Sequence, residues 1–172
     1  TLALDPDKEQ EREVMRVQNK IAVVTGGAAG LGKAIAQRLI AEGATVTITD
    51  VNTEQGKETA HALSCDFLPH DVSDETQWHD IVSQVEEKQG GLHILVNNAG
   101  ILGPMECADP EHTTLSQWQQ IHRVNVEGVF LGCQTVIPAM RRSHGGSIVN
   151  ISSIAGLIAT PYATAYGASK AA

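Results

Sequence analysis

Residues 21–50 read IAVVTGGAAGLGKAIAQRLIAEGATVTITD, and this stretch decides the fold. The run 21–25 is apolar and β-branched, which is typical of a strand buried on both faces. Glycine then recurs at close spacing, at Gly26, Gly27, Gly30 and Gly32. Residues 31–42 carry apolar side chains on one side of a helix, and residues 44–49 return to a strand pattern that stops at Asp50. The stretch predicts strand, glycine turn, helix, strand and acid.

That order of elements has a chemical interpretation. The N–H groups at a helix N-terminus hold a pyrophosphate where glycine lets the phosphates approach. Asp50 can accept hydrogen bonds from adenosine ribose hydroxyls and would repel a 2′-phosphate, so the pattern favours NAD over NADP. Two alternatives stay open, because the glycines read G-x-x-x-G-x-G rather than G-x-G-x-x-G. Such turns also serve tight strand-to-helix packing, and an acid at a strand end is often a turn or cap residue.

The composition limits the classes of partner. The chain has 172 residues, 42% hydrophobic and 19% charged, which is ordinary for one folded domain. A net charge of −8 argues against nucleic acid and anionic membrane surfaces. No apolar run is long enough to span a membrane, no secretory leader is visible, and the cysteines are widely spaced, so we expect a cytoplasmic protein. The histidines lack metal-ligand spacing, so no metal site is expected.

The alternation along the chain predicts the architecture. Residues 1–14 are polar and acidic and are interpreted as a flexible extension, solvated or partner-binding, before a domain over 15–172. Repeated strand–helix units predict an α/β fold with a doubly wound parallel sheet. Polar and small residues at strand ends fall at the ligand-binding edge of such a sheet or serve as turns and caps. They are Asp71, Asn97, Asn98 and Gly100.

A long helix is predicted over 115–142. It is apolar round much of its circumference, which suggests packing on the sheet and on a second subunit. Asn125 lies in its middle, where asparagine is unfavourable for a helix. We interpret it either as a buried amide whose hydrogen bonds are satisfied or as a functional group. Pro138 is predicted to bend or interrupt the last turns.

Tyr166 and Lys170 lie one helical turn apart and face the same way. An ammonium beside a phenol favours the phenolate, which gives a base usable at physiological pH. Ser153, on an adjoining strand end, can hold a substrate oxygen beside the phenol. The alternative is a surface Tyr–Lys pair, but together with Ser153, Asn125 and the glycine turn the pattern indicates an enzyme.

These motifs resemble those of the short-chain dehydrogenases/reductases over residues 17–172. Residues 25–32, TGGAAGLG, are similar to the family's TGxxxGxG, residues 97–100 to its NNAG, and residues 166–170 to its YxxxK. The resemblance implies a Rossmann-type domain. It also implies that two further strands and a substrate lid follow in the family domain. The sheet here should therefore end at the fifth strand, and the chain at the start of the next helix.

The resemblance implies roles for the site residues. Tyr166 would be the catalytic acid/base, Ser153 would orient the substrate oxygen, and Lys170 would favour the phenolate and bind the nicotinamide ribose. Asn125 would anchor a water relay. Ser152 is the second candidate for the serine role, because a register one residue off would exchange the two serines. The implied cofactor-binding residues are Gly26, Ala29, Gly30, Leu31, Gly32, Asp50, Val51, Asp71, Val72, Asn98, Ala99, Gly100, Tyr166 and Lys170.

The expected function is hydride transfer between NAD and a secondary alcohol or ketone, with a hydroxysteroid or another hydrophobic alcohol as candidate substrate. Residues 154–164 are interpreted as an apolar cleft wall or as simple packing. The alternative function is a non-catalytic NAD-binding module that acts through association. The complete protein is expected to be a homo-oligomer, a dimer or a tetramer.

Overall fold

A computed structural model describes residues 15–104 and 109–172. The expected extension 1–14 lies outside the described residues. The strands are β1 Ile21–Thr25, β2 Thr45–Asp50, β3 Asp66–Pro69, β4 Ile94–Asn97 and β5 Ser147–Asn150. The helices are α1 Gly30–Ala41, α2 Thr53–Leu63, α3 Glu75–Gln89, α4 Leu115–His122, α5 Gly128–Arg142 and α6 Thr164–Ala171. A π-helical segment, Arg123–Glu127, joins α4 to α5, and a 3₁₀ turn, Ile154–Gly156, precedes α6.

The strands form one parallel sheet in the order β3-β2-β1-β4-β5. Ala22 of β1 pairs with Val46 of β2 on one side and with Ile94 of β4 on the other. The chain therefore moves outward from β1 in one direction and returns to build β4 and β5 in the other. This confirms the predicted doubly wound sheet, and it places the reversal of strand order between β1 and β4.

Both faces of the sheet are buried over its central strands, whereas β5 is largely exposed. One core cluster, with Trp78, Leu95 and Val136, lies under α3 and α5, and the other, with Val24 and Ile48, lies under α1 and α2. All five residues of β1 are buried, as expected for a central parallel strand.

Leu31 departs from the predicted apolar stripe of α1. Its side chain is 58% exposed, whereas Ile35, one turn later, packs against the core. The reason is position, since the first turn of α1 lies past the carboxyl end of β1. The core-facing stripe of α1 therefore begins at Ile35.

The predicted helix over 115–142 is not one regular helix. Between α4 and α5 the backbone follows a π pattern, in which the N–H of Gly128 donates to the carbonyl of Arg123 five residues back. The prediction of an interruption at Pro138 is wrong, because α5 continues through it to Arg142. Pro138 and Gln134 are both exposed, so the Gln134 carbonyl that loses its helical partner can be solvated.

Four large apolar side chains of α4 and α5 are not covered by the residues that the structure describes. We call them the α4–α5 stripe, and they are Leu115, Trp118, Phe130 and Ile137. Within the described ranges, no helix is both long enough and apolar enough to cross a bilayer.

Candidate active site

The glycine turn after β1 is fixed to β4 by side-chain hydrogen bonds. The amide nitrogen of the Asn98 side chain donates to the carbonyls of Thr25, at 2.9 Å, and Gly26, at 3.1 Å. The Thr25 hydroxyl oxygen accepts from the backbone N–H groups of Asn98, at 3.1 Å, and Ala99, at 3.0 Å. A Cβ at Gly32 would lie 2.2 Å from the Gly26 carbonyl oxygen, so only glycine lets α1 start this close to the turn.

A cleft of about 350 Å³ opens beside this turn, at the carboxyl ends of the strands. Nine predicted cofactor-binding residues line it: Gly26, Ala29, Asp50, Val51, Asp71, Val72, Asn98, Ala99 and Gly100. Gly30 and Leu31 do not, because they are exposed on the first turn of α1, and Gly32 is buried beneath the turn. Four further residues line the cleft that were not predicted from the sequence: His70, Ile101, Gln120 and Val124.

The two acids of the cleft are held by backbone N–H groups. Asp50 accepts from the N–H of Ala28 at 3.1 Å and from the N–H of Asn52 at 3.0 Å. Asp71 accepts from the N–H of Ser73 at 2.9 Å and from the Ser73 hydroxyl at 2.8 Å. Each carboxylate is therefore fixed in direction before any ligand binds.

Asn125 lies in the π segment and is 4% exposed. Its amide oxygen accepts from the N–H of Ile101 at 2.8 Å. Its amide nitrogen donates to the carbonyl of Ile101 at 3.0 Å and to the hydroxyl of Ser169 at 2.9 Å. The side chain thus links the cleft wall at Ile101 to helix α6.

Tyr166 and Lys170 lie side by side on α6. The Lys170 ammonium nitrogen lies 6.0 Å from the centre of the Tyr166 ring and donates to the Ile151 carbonyl at 2.8 Å. Burial lowers the pKa of Lys170 from its ordinary value. A Cβ at Gly100 would lie 3.5 Å from this nitrogen and 3.2 Å from the Asn125 amide oxygen, so the Lys170 ammonium lies close to the far end of the cleft. Neither Tyr166 nor Lys170 lines the cleft itself.

The two candidate serines make different contacts. The Ser152 hydroxyl donates to the Lys170 backbone carbonyl at 2.8 Å, so its proton is used by α6. The Ser153 hydroxyl oxygen accepts from the Ala155 N–H at 3.2 Å, which leaves its proton free to donate. This difference favours Ser153 for holding a substrate oxygen. No hydrogen bond joins Ser153 to Tyr166 in the part of the chain that the structure describes.

His70 is the most buried of the missed residues, at 2% exposure. Its Nδ1 lies 3.1 Å from the Thr49 hydroxyl, and its ring meets Trp78 edge-on at 4.4 Å. Its Nε2 has no partner among the described residues. Burial lowers the pKa of His70 to about 4, although the nearby Asp71 and Asp74 carboxylates oppose the shift. In the sequence, only its position directly before Asp71, at the end of β3, indicates that it lines the cleft.

Comparison with known proteins identifies relatives of this chain. A family model described as short chain dehydrogenase matches residues 20–172. A 3-beta-hydroxysteroid dehydrogenase of Comamonas testosteroni is 41% identical, over 91% of this chain and 61% of that protein. A cyclopentanol dehydrogenase of a Comamonas species is 42% identical, over 91% and 64%. An NADP-dependent (R)-specific alcohol dehydrogenase of Lentilactobacillus kefiri is 39% identical, over 91% and 63%.

The chain therefore spans a little over 60% of the length of these relatives.

Within residues 15–104 and 109–172, no group of three His, Cys, Asp or Glu side chains is placed to hold a metal ion.

The low pKa of His70 predicts a pH-dependent stability. The folded state favours the neutral ring, so this contribution is complete above about pH 6.5 and is lost as the pH falls through about 4. The full loss amounts to about 3 kcal/mol of unfolding free energy. Urea unfolding between pH 4 and pH 7 should therefore show a shallower pH dependence for His70→Asn than for the unmodified protein. The exposed His61→Asn is the matched control, and equal slopes for all three proteins would contradict the assignment.

Proposed function

Because this chain belongs to the short-chain dehydrogenase/reductase family, we propose that it transfers hydride between NAD and a secondary alcohol or ketone. The observation that carries the proposal is the Tyr166–Lys170 pair on α6, whose ammonium lies close to Gly100 at the end of the strand-end cleft. A phenol beside a half-buried ammonium is suited to moving one proton.

The cleft residues fit a dinucleotide. Gly26 and the buried Gly32 bring backbone close to the start of α1, where N–H groups can meet a pyrophosphate. Asp50 would accept hydrogen bonds from the ribose hydroxyls, and Asp71 with Val72 would line the adenine ring. A nicotinamide cofactor held by these residues would supply the hydride acceptor for alcohol oxidation, or the donor for ketone reduction.

The protein residues then have separate tasks. Tyr166 takes the hydroxyl proton of the alcohol, or returns it to the ketone oxygen in reverse. Lys170 stabilises the phenolate and has two further N–H groups, besides the one bound to Ile151, with which to hold a ribose. Ser153 donates to the substrate oxygen. The side chain of Asn125 fixes the cleft wall. Because both of its amide hydrogens are already donated, a water relay that starts at Asn125 would use the main-chain carbonyl of this residue.

Replacing the tyrosine hydroxyl tests the assignment of the acid/base. Tyr166→Phe should lower kcat by about 10²- to 10⁴-fold, the usual contribution of a positioned acid/base, while the Kd for NAD stays within about two-fold. The measurement is NADH absorbance with a panel of secondary alcohols, beside an equilibrium titration of NAD. Turnover that survives the substitution would rule out Tyr166. NAD binding without turnover in the unmodified chain would instead favour the non-catalytic module.

We propose NAD rather than NADP as the cofactor, on the carboxylate of Asp50. A 2′-phosphate would approach an oriented negative charge, which is unfavourable in a partly desolvated cleft. The NADP-dependent relative makes a direct test necessary.

Removing only the charge provides that test. Asp50→Asn keeps an oxygen that can accept from a backbone N–H, so the turn is less disturbed than by alanine. The ratio of the Kd values for NADP and NAD should fall by about 10- to 100-fold, from weaker NAD binding and relaxed rejection of NADP. Competitive titration with both nucleotides gives the ratio. An unchanged ratio would mean that Asp50 does not select the cofactor.

We propose a hydrophobic secondary alcohol as substrate. Ile154, Leu157 and Ile158 follow the candidate serines and expose apolar side chains beside α6. The relatives named for a hydroxysteroid and for cyclopentanol support the same class. In the alcohol panel, kcat/KM should rise with the apolar size of the substrate.

We propose a cytoplasmic location on the evidence of the free cysteine thiols. Among the residues that the structure describes, Cys65 and Cys133 are both free thiols. Burial raises the pKa of Cys65 to about 11, so it stays protonated and unreactive.

We propose that two copies associate through the α4–α5 stripe. Its apolar side chains are exposed along consecutive helices, which is unusual for a surface without a partner. Phe130, 62% exposed near the start of α5, lies well inside the stripe.

Phe130→Glu should convert the oligomer to monomer in sedimentation velocity, because a buried unpaired carboxylate is costly. The exposed Lys57→Glu on α2 is the charge-change control, and an unmodified monomer would contradict the proposal.

A further inference from the structure

Ser169 joins helix α6 to the π segment. The side chain is 4% exposed, although serine is a polar residue. Its hydroxyl oxygen accepts from the Asn125 amide at 2.9 Å, and its hydroxyl proton is donated to the Tyr166 carbonyl at 2.7 Å. The Asn125 amide is in turn bound to both backbone groups of Ile101. A continuous series of hydrogen bonds therefore runs from the cleft wall to the backbone of the tyrosine.

Helix α6 needs such an attachment. It has 8 residues, and its N-cap, Ala163, offers no side-chain hydrogen bond. A helix this short is marginal by itself, so its position depends on tertiary contacts. The other polar attachments are both at its C-terminal end, from Ser152 to the Lys170 carbonyl and from the Lys170 ammonium to Ile151. Among the described residues neither of these hydrogen bonds reaches the first turn, which carries Tyr166 and packs through the buried Ala165.

The placement of Ser169 controls the rotation of α6. At about 100° per residue, Tyr166 and Lys170 project about 60° and 100° round the helix from Ser169, both in the same sense. A rotation that separates Ser169 from Asn125 therefore moves the phenol and the ammonium together relative to the cleft. A misplacement of about 1 Å can lower a reaction rate by about 10²-fold.

We propose that Ser169 is a positioning residue for the reaction. It fixes the rotation of α6 through Asn125, so that Tyr166 and Lys170 face the end of the cleft at Gly100. This inference rests on the proposed function. A hydroxyl that bonds only within its own helix is a common local feature; here the same hydroxyl also receives a hydrogen bond from a different helix.

The test is a double-mutant cycle in kcat. Ser169→Ala should lower kcat by about 10- to 100-fold and change the Kd for NAD much less, because most of the nucleotide contacts lie in the cleft and not on α6. The pH profile of kcat should keep its shape, because the two side chains of α6 move together. Asn125→Ala should also lower kcat. The double variant should be no slower than the slower single variant, because both substitutions remove the same hydrogen bond.

Two further variants separate positioning from folding. Thr135→Val removes another buried hydroxyl that donates within its own helix, to Leu131, and should leave kcat and the pH profile unchanged. Ser169→Cys keeps the size of the side chain but accepts hydrogen bonds weakly, so it should reproduce the loss in kcat even if the alanine variant does not fold.

The outcomes are distinct. A wild-type kcat in a folded Ser169 variant, or fully additive losses in the cycle, would overturn the positioning role alone. Absence of turnover in the unmodified protein, with any secondary alcohol, would overturn the proposed function and this inference together.

Discussion

The hydrogen bonds between Thr25 and Asn98 hold the carboxyl ends of β1 and β4 together at the point where strand order reverses. Everything in the site follows from that junction. It sets the glycine turn, and the turn sets where α1 begins and how close its N–H groups come to the cleft. The peptide beyond Asn98 then leads through Gly100 to the Tyr–Lys pair. The junction is polar yet largely paired, so it specifies one geometry at little cost in unsatisfied groups.

Much of this arrangement follows from local sequence. β1, the glycine turn and Asp50 are within one continuous stretch, whose periodicity and residue types suffice to predict strand, turn, helix and strand. The Tyr–Lys pair follows from the spacing of a single helix. The handedness of strand–helix units led to the prediction of a doubly wound parallel sheet. The order of its strands was not predicted, because that order depends on which strands pair.

What escaped prediction depends on contacts distant in sequence. In the π segment Asn125 reaches Ile101 and Ser169 at once, and neither partner can be identified from the sequence of the helix itself. Pro138 breaks no helix because it falls on a solvated face, which depends on how α5 is turned. His70 lies in an apolar environment supplied by Trp78, from another element. Each error has the same source, since periodicity describes one element and not its neighbour.

The neutral ring of His70 leaves the cleft with an unbalanced charge. Its described lining residues include the carboxylates of Asp50 and Asp71 but no lysine or arginine. An anionic nucleotide therefore enters a negative field. At this end of the cleft, the helix N–H groups are the main source of opposing positive potential. Dissolved ions weaken such repulsion over about 10 Å at 0.1 M. The protein will thus be most selective between nucleotides of different charge in dilute buffer, and progressively less so as salt is added.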